Sequence, residues 1–195
     1  MQIPDYSRRR YDVVAMGSSA GGLNALNHVL RSLPKSFPSS IVVVQHLSPE
    51  HKSWIADLLG RNTQMKVKQA EHGEIMLLGT VYIAPPDEHL LVGPGKIQLA
   101  HSQLVHFSRP SIDLLFESVA GTYGSRSVGV VLSGSGRDGA TGIRAIKEAG
   151  GITIAQNPET AEFRPMPQAA ADTGCIDFIV PLEKIGSTLI ELCVR

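Results

Sequence analysis

Asp12-Val13-Val14-Ala15-Met16-Gly17-Ser18-Ser19-Ala20-Gly21-Gly22-Leu23-Asn24 is the stretch on which the fold turns. An apolar run, Val13 to Met16, stops at a glycine-serine turn, and an amphipathic helix pattern starts directly after it. Gly17-Ser18-Ser19-Ala20-Gly21 fits the spacing G-x-S-x-G of a nucleophile elbow, in which a tight strand-to-helix turn lifts a serine clear of its neighbours. The backbone N–H groups at the start of the helix suit developing negative charge. Two other readings fit the same residues. Gly17-x-Ser19-x-x-Gly22 is one residue short of a dinucleotide fingerprint and could cradle phosphate, and the segment could be a plain glycine-rich turn.

Outward from this turn the pattern alternates. The first strand candidate, Asp12–Met16, lacks polar alternation, as expected of a strand buried on both faces of a parallel sheet. Leu23, Leu26, Val29, Leu30 and Leu33 recur at helical spacing and stop at Pro34. Ile41–Val44 is a second buried strand and delivers Gln45-His46 at its end. Ser48-Pro49-Glu50 reads as a helix start, with Trp54, Ile55, Leu58 and Leu59 as the apolar face. Met65–Val67 is a short strand candidate.

The middle differs. Ile75–Leu78, Val81–Ala84, His89–Val92 and Ile97–Leu99 are short runs split by Gly and Pro, a hairpin signature. Residues 70–107 are therefore expected to form a small antiparallel excursion. Afterwards come a helix from Pro110-Ser111 through Val119, a strand Ser127–Leu132, and a second glycine-rich loop, Ser133–Ala140. Further elements follow: a helix through Ile143 and Ile146, strand Ile152–Ala155, helix Met166–Thr173, strand Ile176–Val180 and helix Leu182–Leu192. The expected fold is a three-layer, doubly wound α/β domain with a mainly parallel sheet. Residues 1–11 form a lead-in, and 12–195 a single domain.

The totals narrow the function. At 195 residues, 43% of them hydrophobic, the chain can bury a full core. Eighteen basic residues balance eighteen acidic ones, so no global field draws nucleic acid or an anionic membrane. The cluster Arg8-Arg9-Arg10 at the edge reads as a solvated leader. The two cysteines, Cys175 and Cys193, are far apart, which argues against a disulfide framework or zinc site. There is no signal-peptide pattern and no apolar run long enough to span a membrane. The expected location is the cytoplasm.

Three loops follow buried strands: the elbow, Gln45-His46 and Ser133–Ala140. In open α/β sheets ligands bind at that edge. They supply a serine, a histidine and an aspartate, so Ser19 as nucleophile, His46 as base and Asp138 as its orienting group form a candidate triad. Each has a structural alternative. His46, one of seven histidines, could be an ordinary hydrogen-bonded residue, and Asp138 before Gly139 could be a helix N-cap. His46, Glu50 and His51 have the wrong order for an H-E-x-x-H metal site. The order Ser, His, Asp also differs from the Ser, Asp/Glu, His of α/β-hydrolases. A non-enzymatic nucleotide- or phosphate-binding module is the rival. Phosphate loops usually recruit Lys or Arg, the elbow has neither, and Arg137 stands alone.

Several motifs occur in order: Gly17–Gly22, Gln45-His46, Tyr82-Ile83-Ala84-Pro85, Arg109-Pro110-Ser111-Ile112-Asp113 with Phe116, Leu132–Ala140, and Ala155-Gln156 with Met166-Pro167. Together, over residues 12–192, they resemble the catalytic domain of CheB, the chemotaxis protein-glutamate methylesterase. The resemblance implies hydrolysis of glutamate γ-methyl esters on methyl-accepting chemoreceptor helices, and deamidation of certain receptor glutamines. It implies no cofactor or metal, and places the triad at Ser19, His46 and Asp138. It puts Ala20, Ser135 and Gly136 at the oxyanion-stabilising loops, and Ser18, Arg137 and Met166 near the substrate. Ser135 stands where methionine or threonine is common, and Ala20 where many members have threonine. The eleven residues before the first strand are too few for the usual receiver domain. A stand-alone member of an alternative chemosensory system is therefore expected, either controlled by a partner the sequence does not name or constitutively active.

Overall fold

A strand buried along its whole length needs neighbours on both edges and cover on both faces. The computed structural model, which describes residues 11–46 and 54–194, builds that environment around β1 (Val13–Ser18). In chain order there follow α1 (Gly22–Ser32), β2 (Ser40–Gln45), α2 (Ile55–Gly60), β3 (Lys66–Gln69), β4 (Thr80–Ile83), β5 (His89–Gly93) and β6 (Lys96–Ala100). The second half supplies α3 (Ile112–Tyr123), β7 (Ser127–Val131), α4 (Ala140–Glu148), β8 (Ile152–Gln156), α5 (Pro165–Ala171), β9 (Phe178–Val180) and α6 (Leu182–Cys193).

Seven strands form one sheet in the order β3-β4-β2-β1-β7-β8-β9, and every neighbouring pair is parallel. The helices cover both faces. On one, Leu26, Val29 and Leu30 of α1 meet Ile185, Leu189 and Cys193 of α6. On the other, Leu115, Phe116 and Val119 of α3 pack with Ile143 and Ile146 of α4 and with the hairpin residues Leu90, Val92 and Ile97. Burying each such side chain contributes roughly 1.5–3 kcal/mol. The expected doubly wound, three-layer architecture is present.

The antiparallel part is narrower than residues 70–107. Among the described residues only β5 and β6 pair as antiparallel strands, in a separate two-stranded hairpin to which Ile75 adds an isolated bridge at Lys96. β4 belongs to the main sheet, between β3 and β2, and all four of its residues are buried. Ile75–Leu78 makes one isolated bridge to the hairpin, Ile75 to Lys96, and goes no further as a strand because Leu77 bonds to a side chain. Leu77 N–H donates to the Tyr82 hydroxyl at 2.8 Å, that hydroxyl donates to Ile75 C=O at 3.3 Å, and Met76 N–H donates to Gly95 C=O at 2.9 Å. In α2 only Ile55 and Leu59 are buried, while Trp54 and Leu58 face outward. A six-residue helix presents one i, i+4 pair to a core and no more. Tyr11, expected in the lead-in, is buried in the core instead. The lead-in over 1–10, the Ser48-Pro49-Glu50 helix start and His51 lie outside the described residues. Among the described residues no helix is long and apolar enough to cross a membrane.

Candidate active site

The register of the sheet sets Ser19 and His46 side by side. Ser18 pairs with Gln45 across β1 and β2, so the next residue on each strand emerges at the carboxyl edge together. His46 N–H donates to Ser18 C=O at 3.0 Å, and on the other side Ser19 N–H donates to Ser133 C=O at 3.0 Å. Ser19 thus sits between the ends of β2 and β7, where the chain winds off in opposite directions. The buried side chain of Gln45 ties this arrangement together. Its Nε2 donates to the carbonyls of both Ser19 (2.8 Å) and His46 (3.0 Å), and its Oε1 accepts from the Ser18 hydroxyl at 2.6 Å.

His46 and Asp138 come from segments 92 residues apart and meet at 2.9 Å, Nε2 to Oδ2. Asp138 does not cap its own helix. Its carboxylate reaches the start of α3, accepting from Ile112 N–H (2.8 Å), Asp113 N–H (2.9 Å) and the Ser111 hydroxyl (3.2 Å). The helix-cap alternative for Asp138 is therefore met by a neighbouring helix, and the carboxylate holds His46 at the same time. Burial opposes its ionisation. The His46 bond and the amides of Ile112 and Asp113 outweigh that and hold Asp138 below the usual carboxylate range. With Nε2–H donated to Asp138, the ring lone pair lies on Nδ1. Among the described residues the Ser19 hydroxyl has no hydrogen-bond partner.

Around the serine, Ala20 is partly exposed, and Ser135, Gly136 and Arg137 are exposed at the mouth. Among the described residues the backbone N–H groups of Ala20, Ser135 and Gly136 carry no hydrogen bond. The second loop comes very close at Gly134, where an added Cβ would lie 2.9 Å from Ser19 Cβ and 2.6 Å from Met166 Sδ. Only glycine fits that approach. Ser18 and Met166, both expected near the substrate, are buried. Ser18 is fully buried because β1 continues through it and aims its hydroxyl at Gln45. Met166 is buried beneath Gly134, where it supports the loop from below.

A cleft of about 230 Å³ opens beside His46, lined by Leu104, Phe107, Ser108, Arg109, Pro110 and Asp87. Phe107 is 98% exposed, while Arg109 is engaged by Asp87 and by the Ser102 carbonyl. Four residues of the site framework had no role assigned from sequence: Gln45, Ser111, Asp113 and Gln156, whose Oε1 accepts from Ser133 N–H at 2.9 Å. Their signal was their place in the motifs Gln45-His46, Arg109–Asp113 and Ala155-Gln156, which carried no role for them. Among the described residues no group of three or more His, Cys, Asp or Glu could hold a metal ion.

Comparison with known proteins gives the family. The family described as CheB methylesterase matches residues 14–189. A relative from Leptospira interrogans is 40% identical over 183 residues, covering 93% of this chain and 95% of its own length. Protein-glutamate methylesterase/protein-glutamine glutaminase 2 of Anaeromyxobacter dehalogenans is 43% identical over 183 residues, covering 94% of this chain and 54% of that protein. The chain thus spans almost all of the first relative and about half of the second. The crystal structure of the Thermotoga maritima CheB methylesterase catalytic domain superposes with a TM-score of 0.89 at 38% identity, covering 93% of this chain and 98% of that one. The chain belongs to the CheB methylesterase family, and with it to the ester hydrolases.

Proposed function

We propose that this chain removes methyl groups from glutamate γ-methyl esters on chemoreceptor helices, working in the cytoplasm as a single catalytic domain through Ser19, His46 and Asp138. The observation that carries the proposal is the 2.9 Å His46–Asp138 bond beside a serine on an open elbow, in a chain of this family. Ser19 Oγ attacks the ester carbonyl while His46 Nδ1 takes its proton. Contacts of this kind commonly tighten only once substrate is bound. The oxyanion is stabilised by N–H groups at Ala20 and at Ser135 or Gly136. His46 then protonates the departing methoxy oxygen, methanol leaves, and water repeats the sequence to give glutamate and free serine. The same steps with a glutamine side chain release ammonia. Because the donors at Ser135 are backbone N–H groups, serine in place of methionine or threonine leaves them intact. Losing one such donor would cost about 10²–10³ in kcat.

The test is methanol release from a methylated receptor fragment by the Ser19→Ala protein. Turnover is expected to fall by about 10³-fold or more. Unchanged turnover would remove the acyl-serine mechanism.

A further inference from the structure

Beneath the site two carboxylates cross between α3 and α4. Asp138, just before α4, accepts the first amides of α3. Asp113, in the first turn of α3, returns the arrangement. Its Oδ1 accepts Gly139 N–H at 2.9 Å and Gly142 N–H at 2.7 Å, the cap and third positions of α4. The helices meet so tightly that a Cβ on Gly142 would stand 2.7 Å from Asp113 C=O and 2.7 Å from Phe116 Cβ. Asp113 is 3% exposed and touches neither Ser19 nor His46 in any hydrogen bond among the described residues.

We propose that Asp113 is a positioning residue for the esterase reaction. By capping α4 it fixes the loop Ser133–Ala140, and with it the carboxylate that orients His46. This rests on the triad assignment given under the proposed function. Each carboxylate holds the helix that carries the other, so neither can shift without freeing buried N–H groups at both ends. A displacement of His46 by as little as 1 Å would matter, since misplacement on that scale costs up to about 10²-fold in rate.

The groups facing Asp113 are the Asp138 carboxylate, the α4 amides, and His106, whose Nε2 lies 3.7 Å from Oδ2. Burial pushes the Asp113 carboxyl above its ordinary range. The Gly142 amide pulls it down, the Asp138 charge pushes it up, and the Gly139 amide and His106 pull it down. Both helix amides use Oδ1, so an asparagine can keep the cap while losing the charge.

The experiment measures kcat and KM on a small methyl ester, together with the low-field proton signal of His46 Nε2–H by NMR, on the full chain. Asp113→Asn is expected to keep kcat within about threefold and retain the signal. Asp113→Ala is expected to lose about 10–100-fold in kcat at unchanged KM, with the signal broadened or lost. Asp113→Ser, whose hydroxyl reaches at most one amide, should fall between them and serves if the alanine protein does not fold. A folded Ala or Ser variant with wild-type kcat and an unchanged signal overturns the proposal, as does an Asn variant as damaged as the Ala one. The NMR signal is read without substrate. Failure of the acyl-serine mechanism in Ser19→Ala therefore leaves the judgement on Asp113 intact.

Discussion

The turns after β1 and β7 have almost the same sequence texture and opposite electrostatics. Both leave a buried strand, both are built from Gly and Ser, and both open a helix whose cap is a left-handed glycine, Gly21 (φ 70°) or Gly139 (φ 99°). The α1 end has no acidic residue in its first turn, and among the described residues no side chain accepts from its first amides. The Glu162 carboxylate lies beside this end, accepting from Asn24 Nδ2 at 3.3 Å, but it takes none of the amides next to Ser19. The α4 end is already occupied by Asp113. Helix N-termini attract negative charge, so an open end can serve a transient oxyanion, whereas a filled end serves as a fixed mount. On the proposed mechanism the first turn serves a charge that appears during the reaction, whereas the second is mounted on a carboxylate of the fold itself.

Breaking the second turn should have the larger consequence. Asp138→Asn must put its amide N–H groups either at the Oδ2 position, where His46 and the Ile112 amide both donate, or at the Oδ1 position, where the Asp113 amide and the Ser111 hydroxyl donate. With the N–H groups at the Oδ2 position, which keeps the Asp113 amide bonded, His46 loses the partner that fixes its tautomer. In a serine triad that change costs about 10⁴ in kcat, and a loss near this size is expected here at little change in KM. A loss below tenfold, measured on a small methyl ester, would mean that His46 is oriented by something other than Asp138.

Disturbing the first turn should cost less. Gln45→Leu keeps the volume but frees the carbonyls of Ser19 and His46 and strands the buried Ser18 hydroxyl. The catalytic groups remain, though less firmly placed, so kcat is expected to fall about 10–100-fold. Urea unfolding should show a loss of about 1–3 kcal/mol for the unsatisfied groups. Wild-type kcat in a destabilised protein would show that the elbow holds its own geometry and that Gln45 serves stability alone.

This difference between the turns was only partly legible in the sequence. Alternating apolar runs and glycine turns gave the order of strands and helices, because local period and turn chemistry carry that information. They misjudged Val81–Ala84, since a short apolar run between turns looks the same in a hairpin and in a parallel sheet. Burial on both sides decided that case, and burial is a tertiary property. Strand-end placement brought out Ser19 and His46, which share a register. Asp138 was visible as a residue but not as a guest of α3. The partners that fix its role, Ile112 and Asp113, lie 26 and 25 residues away, and no local spacing records such a cross-helix cap. The same holds for Ser18 and Met166, whose nearness to the site in sequence concealed that both are buried below it.

The smallest expected effect separates the two carboxylates by pH. Asp138 sits below the ordinary carboxylate value of about 3.9, so its ionisation stabilises the fold. That contribution is complete above the ordinary value and disappears as pH falls through the depressed one. The stability lost in Asp138→Asn, about 1.5–3 kcal/mol at neutral pH for bonds to a charged acceptor, should therefore shrink as pH drops below about 4. Asp113 runs the other way, because burial raises it. Its ionisation costs stability, a cost absent below the ordinary value and growing as pH rises through the raised one. Asp113→Asn should consequently compare better with wild type at neutral pH than at acid pH. Urea midpoints of both variants and wild type between pH 3 and 7 would show opposite slopes. If both differences are flat with pH, or slope the same way, the fold does not favour the charge of Asp138 and oppose that of Asp113.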